Sequence, residues 1–221
     1  MQKLILLFFS LSFAIVAQAQ TIGFKRGNLI SNQVSYVIEK WNGTEVVKVV
    51  KDSAIKAVDE PTFVRMKGVD FTNGIIEVKV LSRLLKNAPA MARGFIGIAY
   101  RIDESNSKYE SIYIRPTNGR ADDQVRRNHS IQYYSYPDFK FDRLRKESPE
   151  KYESYADMGL NEWISMKIVI KAQEARLYLN NAKQPSLIVK DMKYGTTSGG
   201  IGLWVDVGTE GYFKDLKITK L

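Results

Sequence analysis

Short runs of alternating apolar and polar residues, set apart by Gly, Asn and Asp, fill the chain from residue 34 onward. "VSYVIE" begins at Val34, "TEVVKVV" at Thr44, "GIIEVKVLS" at Gly74 and "GFIGIAYRI" at Gly94. "KYESIYIR" follows from Lys108, "SIQYYSY" from Ser130 and "EWISMKIVIK" from Glu162. The last part adds "EARLYLN" from Glu174, "PSLIVKD" from Pro185, "GGIGLWVD" from Gly199 and "GYFKDLKITK" from Gly211. A period of two puts successive side chains on opposite faces, so each run reads as a strand. β-branched and aromatic residues fill them and turn residues separate them, the pattern of an all-β sandwich. Helical character is confined to "FDRLRKESPEKYES" from Phe141, where Asp142 offers an N-cap and Ser148-Pro149 a stop or a fresh start. At most one or two short helices are expected.

The same period assigns faces. Ile112 and Ile114 share a side with Glu110, while Tyr109, Ser111, Tyr113 and Arg115 share the other. Gln132, Tyr134 and Tyr136 oppose Ile131 and Tyr133, and Trp204 and Asp206 oppose Ile201, Leu203 and Val205. Arg101 points away from the core, and Glu77 and Lys79 oppose Ile76, Val78 and Val80. An apolar core face and an open polar-aromatic face are thus expected.

Polar chemistry concentrates in "RPTNGRADDQVRRNHSIQYYSY", Arg115 to Tyr136, which holds the only histidine, His129. "PTNG" reads as a turn, with Pro fixing φ and Gly allowing a positive φ. Either Asp122 and Asp123 pair with Arg120, Arg126 and Arg127 to close a solvated loop, or the stretch walls a binding site. Ordered loops of this length commonly serve function. Beside Arg127, Asn128 and Gln132, His129 suits acid or base work near neutral pH.

Composition narrows the classes. Residues 1–19, "MQKLILLFFSLSFAIVAQA", carry one charge at Lys3, an apolar run from Leu4 to Val16 and small residues Ala17 and Ala19. They read as a secretory leader cleaved near Ala19, too short in its apolar run for a membrane span. Residues 20–221 then form a single domain, periplasmic or extracellular, with no membrane insertion. There is no cysteine, so no disulfide staples the fold and no lipid anchor of the bacterial lipoprotein type follows the leader. The net charge is +9, but basic and acidic residues are interleaved without long like-charge runs, which argues against nucleic acid. One histidine, no cysteine and no HExxH leave no transition-metal cluster. No cofactor is expected, with a Ca²⁺ site of loop oxygens left open. G-x-S-x-G, Walker and dinucleotide fingerprints are absent, and nothing in the sequence speaks to oligomeric state.

The segment from Asn161, "NEWISMKIVIKAQEARLYLNNAKQPSLIVKDMKYGTTSGGIGLWVDVGTEGYFKDLKI", resembles the ending of concanavalin A-like jelly-roll domains. The block "GFIGIAYRI…YESIYIRPTNGRADDQVRRNHS" resembles the variant known as 3-keto-disaccharide hydrolase-like. The resemblance runs from about Gly74 to Leu221 and implies a concanavalin A-like jelly-roll β-sandwich of two antiparallel sheets. The outward faces would then make one concave surface, rimmed by the 115–136 loop. Aromatic plates beside bidentate polar groups suit a saccharide or polysaccharide. The expected binding residues are Arg101, Tyr109, Tyr113, Arg115, Asn118, Arg120, Gln124, Arg127, Asn128, Gln132, Tyr134 and Trp204.

Carbohydrate recognition within glycan degradation is the first functional reading, and a glycoside-cleaving hydrolase or lyase the second. A non-catalytic structural surface protein is the third. Glycoside hydrolysis needs two carboxyls facing the bond. The E-x-D-x-x-E strand of concanavalin A-like glucanases is missing, since "IIEVKV" offers Glu77 alone. Glu77, Asp122, Asp123 and His129 are the candidate catalytic groups. A 3-keto sugar asks for less, because the ketone acidifies the neighbouring C–H. His129 or an aspartate would be the base, with Arg115 or Arg120 steadying the enolate.

Overall fold

The computed structural model describes residues 18–221, so the expected leader lies almost wholly outside the described residues. The first strands are β1 (Gln18–Thr21), β2 (Leu29–Asn32), β3 (Val34–Trp41), β4 (Thr44–Lys51) and β5 (Phe63–Met66). Then come β6 (Gly74–Leu84), β7 (Ile96–Ile102), β8 (Tyr109–Ile114), α1 (Pro116–Gly119), α2 (Gln124–Asn128) and β9 (Ile131–Tyr136). The chain continues with α3 (Phe141–Glu147), β10 (Glu153–Ser154), β11 (Ile164–Lys171), β12 (Glu174–Leu179), β13 (Leu187–Val189), β14 (Gly200–Val205) and β15 (Thr209–Lys220).

These strands make two antiparallel sheets, the sandwich that the alternation calls for and the jelly roll that the resemblance implies. One runs β13-β12-β11-β6-β15-β4-β3 with β1 added on β15, and the other runs β10-β9-β8-β7-β14-β5-β2. Ile96, Ile98, Ile112, Ile114, Ile131, Leu203 and Val205 are buried in the core. A Cβ on Gly211 of β15 would strike Val205 and Ile96, which shows these side chains facing the opposite sheet. Every long run read as a strand is present. The sequence pattern missed β1, β2, β5 and β10, whose two to four residues are too few for a period of two to show.

The face of the second sheet turned away from the core differs from expectation. It carries Tyr109, Tyr113, Tyr134 and Trp204, but all four are buried rather than open. The segment between β4 and β5 lies across it. Trp204 Nε1 donates to the Glu60 carbonyl at 2.9 Å, and the Glu60 carboxylate takes Lys140 and the Tyr136 hydroxyl. Beneath that cover the rings pack edge-on: Phe63 on Tyr109 at 5.4 Å, Tyr109 on Tyr134 at 5.7 Å. Gly97, opposite Tyr113 in the register, leaves room for its ring, since a Cβ there would lie 2.6 Å from the Tyr113 Cβ.

Three short α-helices form among the described residues, two of them inside the stretch expected to be a turn and a loop. Pro116 opens α1 with its φ already set, and Asp123 caps α2 by accepting the Arg126 amide at 3.0 Å. For α3 the expected cap, Asp142, falls inside the first turn, and the cap position is Lys140 without a side-chain bond. The Phe141 amide goes instead to Asp59 Oδ2, 2.9 Å away on the β4–β5 segment. No helix among the described residues is long and apolar enough to cross a membrane.

Candidate functional site

Where the β4–β5 segment, the turn before β7, the 115–129 stretch and α3 meet, they leave a cleft of about 450 Å³. Asp59, Tyr113, Arg115, Asp206 and Phe141 lie in it with Arg93, Asn118, Asp123, Arg126, His129 and Arg145. Met91 and Val125, 50% and 66% exposed, flank it with apolar surface. A second cleft of about 320 Å³ continues past His129 and Val125 toward Glu150, Glu153 and Tyr155. A groove of about 490 Å³ also crosses the outer face of the other sheet. Its two acids are paired with lysines, Asp215 to Lys79 at 2.9 Å and Glu77 to Lys217 at 3.6 Å, and its remaining lysines, Lys167 and Lys183, are exposed. The site is therefore placed in the arginine-lined cleft, where titratable groups are buried and perturbed.

Two carboxylates that the sequence reading did not pair meet at its floor. Asp206, at the end of β14, holds Lys51 at 2.5 Å and accepts the Asp59 amide at 2.9 Å. Burial pushes the Asp59 carboxyl up to about 7, and the Asp206 charge adds to the rise. The Phe141 amide, the Arg115 charge and the Tyr113 hydroxyl pull the other way without cancelling it. Asp59 thus carries its proton into the neutral range.

Arg115 organises the wall. Its Nη2 donates to the Tyr113 hydroxyl at 2.8 Å and to Gln132 Oε1 at 3.1 Å. Its Nη1 donates to the His129 carbonyl at 2.9 Å and to Glu153 Oε1 at 3.2 Å. Glu153 also takes Arg145 through both oxygens, a bidentate pair. Burial pushes the Glu153 carboxyl up, but the Arg145 bond and the Arg115, Arg145 and His129 charges outweigh it and hold it down. His129 Nδ1 sits 3.0 Å from Glu153 Oε2, out of line for a good hydrogen bond but close enough for the charge to act. Burial nonetheless lowers the imidazole below 6.5 against the pull of Glu153, so the ring is neutral at neutral pH. Nε2 makes no hydrogen bond among the described residues.

Of the residues expected at a site, the cleft gathers Tyr113, Arg115, Asn118, Asp123 and His129. Gln132 stands behind them on Arg115, and Asn128 lines the adjoining cleft. The rest are placed elsewhere. Arg101, 3% exposed, clamps the carbonyls of Thr72, Ala172 and Gly195 at the far end of β7 from Phe95. Tyr109, Tyr134 and Trp204 are covered. Arg120 reaches away to Asp157 at 2.7 Å and Glu162 at 3.1 Å, and Gln124 pairs with Asn128 and Arg127 on the exposed side of α2.

The candidate carboxyls Glu77, Asp122 and Asp123 are not brought together as a facing pair. Glu77 is on the outer face of the other sheet, Asp122 is exposed and Asp123 is occupied as the cap of α2. Neither aspartate makes an ion pair with Arg120, Arg126 or Arg127 within 4.0 Å, so the loop is not closed by salt bridges. Among the described residues no group of three or more His, Cys, Asp or Glu is set to hold a metal.

Asp59, Arg93, Phe141, Arg145 and Glu153 were not read as site residues. They stand outside the alternating runs or at the ends of short elements. The local density of charge in "AVDEP" and "RLRKE" is a signal for Asp59 and Arg145 alone.

The sandwich is similar to a carbohydrate-binding module, CBM66, from Bacillus subtilis. The TM-score is 0.54 at 10% identity, over 85% of this chain and 96% of that one. A Bacillus subtilis protein of unknown function with a galectin-like fold matches at TM-score 0.54 and 10% identity, over 88% and 90% of the two chains. A glycosidic hydrolase matches at TM-score 0.51 and 11% identity, over 94% and 97%. At such identities the likeness is one of fold, that of carbohydrate-binding and glycosidase-like sandwiches. No curated protein matches the sequence. The family model described as "3-keto-alpha-glucoside-1,2-lyase-like domain" matches residues 32–219. The chain belongs to the 3-keto-alpha-glucoside-1,2-lyase-like domain family.

Proposed function

We propose that the arginine-lined cleft binds a 3-keto glycoside and cleaves it by elimination, with His129 as base and Asp59 as acid. One observation carries the reading: a neutral imidazole backed by Glu153 and a carboxyl with a pKa of about 7 line the same cleft. Burial favours the uncharged form of both groups, an imidazole free to accept a proton and a carboxyl that still holds one to give, which is what acid–base chemistry near neutral pH needs. His129 Nε2 takes the proton from C2, made acidic by the C3 ketone. The electron pair reaches the C3 oxygen as an enolate, held by the Arg115 charge. As the ketone re-forms, a C1–C2 double bond appears and the C1–O bond breaks. The leaving oxygen takes the Asp59 proton, giving an unsaturated keto sugar and a free alcohol. No oxidant is consumed, because the substrate arrives already oxidised at C3.

Recognition without turnover is the competing reading, and the covered aromatic face weighs against it. A stacking platform needs open rings, and Tyr109, Tyr134 and Trp204 are shut under the β4–β5 segment. Residues 1–19 serve in this proposal as an export signal, which puts the chemistry outside the cytoplasm in glycan breakdown. N-terminal sequencing of the exported protein tests that part.

The decisive experiment incubates residues 20–221 with 3-keto glucosides and with their unoxidised parents, and follows products by mass spectrometry. Products from the keto sugars alone are expected, lost in His129→Ala and Asp59→Asn while saccharide affinity persists. Affinity without any product would overturn the lyase reading and leave a binding module.

A further inference from the structure

Four guanidiniums face the cleft, and they are not equally neutralised. Arg115 and Arg145 share the buried Glu153 carboxylate. Arg93 and Arg126 have no such partner. Arg93 Nη1 donates only to the carbonyls of Ala90 and Ala92, at 2.6 and 2.8 Å. Arg126 donates from Nε to Asn118 Oδ1 at 3.0 Å and from Nη2 to Thr117 Oγ1 at 3.2 Å. Among the described residues neither lies within 4.0 Å of a carboxylate, and Arg93 Nη2 and Arg126 Nη1 make no hydrogen bond. Asp123, the nearest acid in sequence to Arg126, gives its carboxylate to the cap of α2. Asp206 is matched by Lys51.

The arrangement is built rather than loose. Gly94 follows Arg93 at φ +71, where a Cβ would meet Leu160 Cδ2 at 2.7 Å and Ser82 Oγ at 2.8 Å, so the turn that presents Arg93 is tightly specified. The Thr117 amide bonds back to the Arg93 carbonyl at 3.3 Å, joining this turn to α1. Asn118, 3% exposed, fixes the Arg126 fork while its own amide holds the His129 carbonyl at 3.1 Å. The two guanidiniums, each with N–H groups to spare, are therefore set on the backbone that places the catalytic imidazole. Burial lowers the Arg93 pKa, and the Arg126 and Arg115 charges lower it further, which is the cost of like charges gathered without a counterion.

We infer that Arg93 and Arg126 form an oxyanion subsite, so that the cleft takes acidic saccharides. The saccharide carries a carboxylate or a sulfate ester, held by the two guanidinium forks beside the apolar flank of Met91 and Val125. Guanidiniums with spare N–H groups match planar or tetrahedral oxyanions bidentately. The inference rests on the saccharide reading of the same cleft and names its substrate class.

Calorimetric titration of residues 20–221 tests it, with methyl 3-keto-glucoside, methyl glucoside, methyl glucuronide, a glucose sulfate ester and inorganic sulfate in parallel. An acidic glycoside is expected to bind at least about tenfold more tightly than the neutral one, the advantage shrinking as salt is raised. Arg93→Gln and Arg126→Gln should each remove most of that advantage, and Arg126→Lys, which keeps charge without the fork, should restore part of it. Thermal melts of each variant establish that it is folded. The glucuronide and the sulfate ester, compared with each other, say which oxyanion fits. Equal affinity for neutral and acidic glycosides overturns the subsite and leaves the saccharide reading intact. Inorganic sulfate bound through these arginines with no affinity for any glycoside supports the subsite and overturns the saccharide reading. A preference for acid that survives both glutamine variants overturns the assignment of these residues.

Discussion

Asp59 Oδ2 accepts the amide of Phe141 at 2.9 Å, tying the β4–β5 segment to the first turn of α3 across 82 residues of sequence. The neighbouring Glu60 carbonyl receives Trp204 Nε1, and the Glu60 carboxylate receives Lys140. The contacts that bury the aromatic face therefore also hold a perturbed carboxyl on the floor of the cleft. Cover and site are one construction, and a change at Asp59 should register in stability as well as in chemistry.

The pH dependence of stability gives the first prediction. The Asp59 carboxyl is raised from 3.8 to about 7, so between those values the native state keeps a proton that the unfolded chain has released. Its contribution is full below about pH 4 and is lost as pH rises to about 7. A shift of that size amounts to something on the order of 4 kcal/mol. Asp59→Asn keeps an acceptor for the Phe141 amide and suits the φ of 52° at this position. Urea midpoints measured at each pH should fall from pH 4 to 7 in the wild type by more than in Asp59→Asn. Parallel curves would show that another group, such as the buried Glu110, carries the slope.

His129 is the chain's only histidine, so one imidazole signal reports the site in an NMR titration. Its pKa should lie below 6.5, because burial outweighs the Glu153 charge. Arg145→Gln removes a charge that lowers it and should move it up. Glu153→Gln removes the one that raises it and should move it down further. A wild-type value above 6.5, or no movement in either variant, would contradict the electrostatics described.

Gly97 permits a test of how Tyr113 is placed. A Cβ at residue 97 would approach the Tyr113 Cα to 2.5 Å and the Ile112 carbonyl oxygen to 2.3 Å, contacts that only backbone movement relieves. Gly97→Ala should cost about 1–3 kcal/mol, the usual toll of overpacking, and should weaken saccharide binding by displacing Tyr113 and its bond to Arg115. Urea unfolding and calorimetry read the two effects. A variant as stable as the wild type would mean that the sheet yields here.

How much of this the sequence disclosed follows from the range of the interactions. Alternation within β8 put Ile112 and Ile114 on the core side and Tyr109 and Tyr113 opposite, because a strand's faces are a local matter. Whether the second face is open depends on what lies over it. Its cover comes from Glu60, 144 residues from Trp204, which no local period reveals. The same holds for the acid. Asp59 and Asp206 meet across 147 residues, while Asp122 and Asp123, conspicuous side by side in the sequence, sit on exposed loop and helix cap. His129, Arg115 and Asn118 were legible because one short stretch carries all three into the cleft.

The covered face supplies the last prediction. Tyr109 and Tyr134 share one hydrogen bond between their hydroxyls at 2.8 Å, and neither hydroxyl has another partner among the described residues. Both are fully buried, which raises each phenol well above its usual pKa. Replacing one with Phe strands the other hydroxyl away from water, a loss of about 1–3 kcal/mol. Replacing both removes donor and acceptor together, and the double variant should lie within about 1 kcal/mol of the wild type. A double-mutant cycle in urea should thus show the two substitutions compensating rather than adding. Saccharide affinity should be unchanged throughout, because the pair lies beneath the β4–β5 cover and not in the cleft. Additive losses would show a pair already satisfied by other partners, and a fall in affinity with stability retained would mean that the cover opens to admit the ligand onto this face.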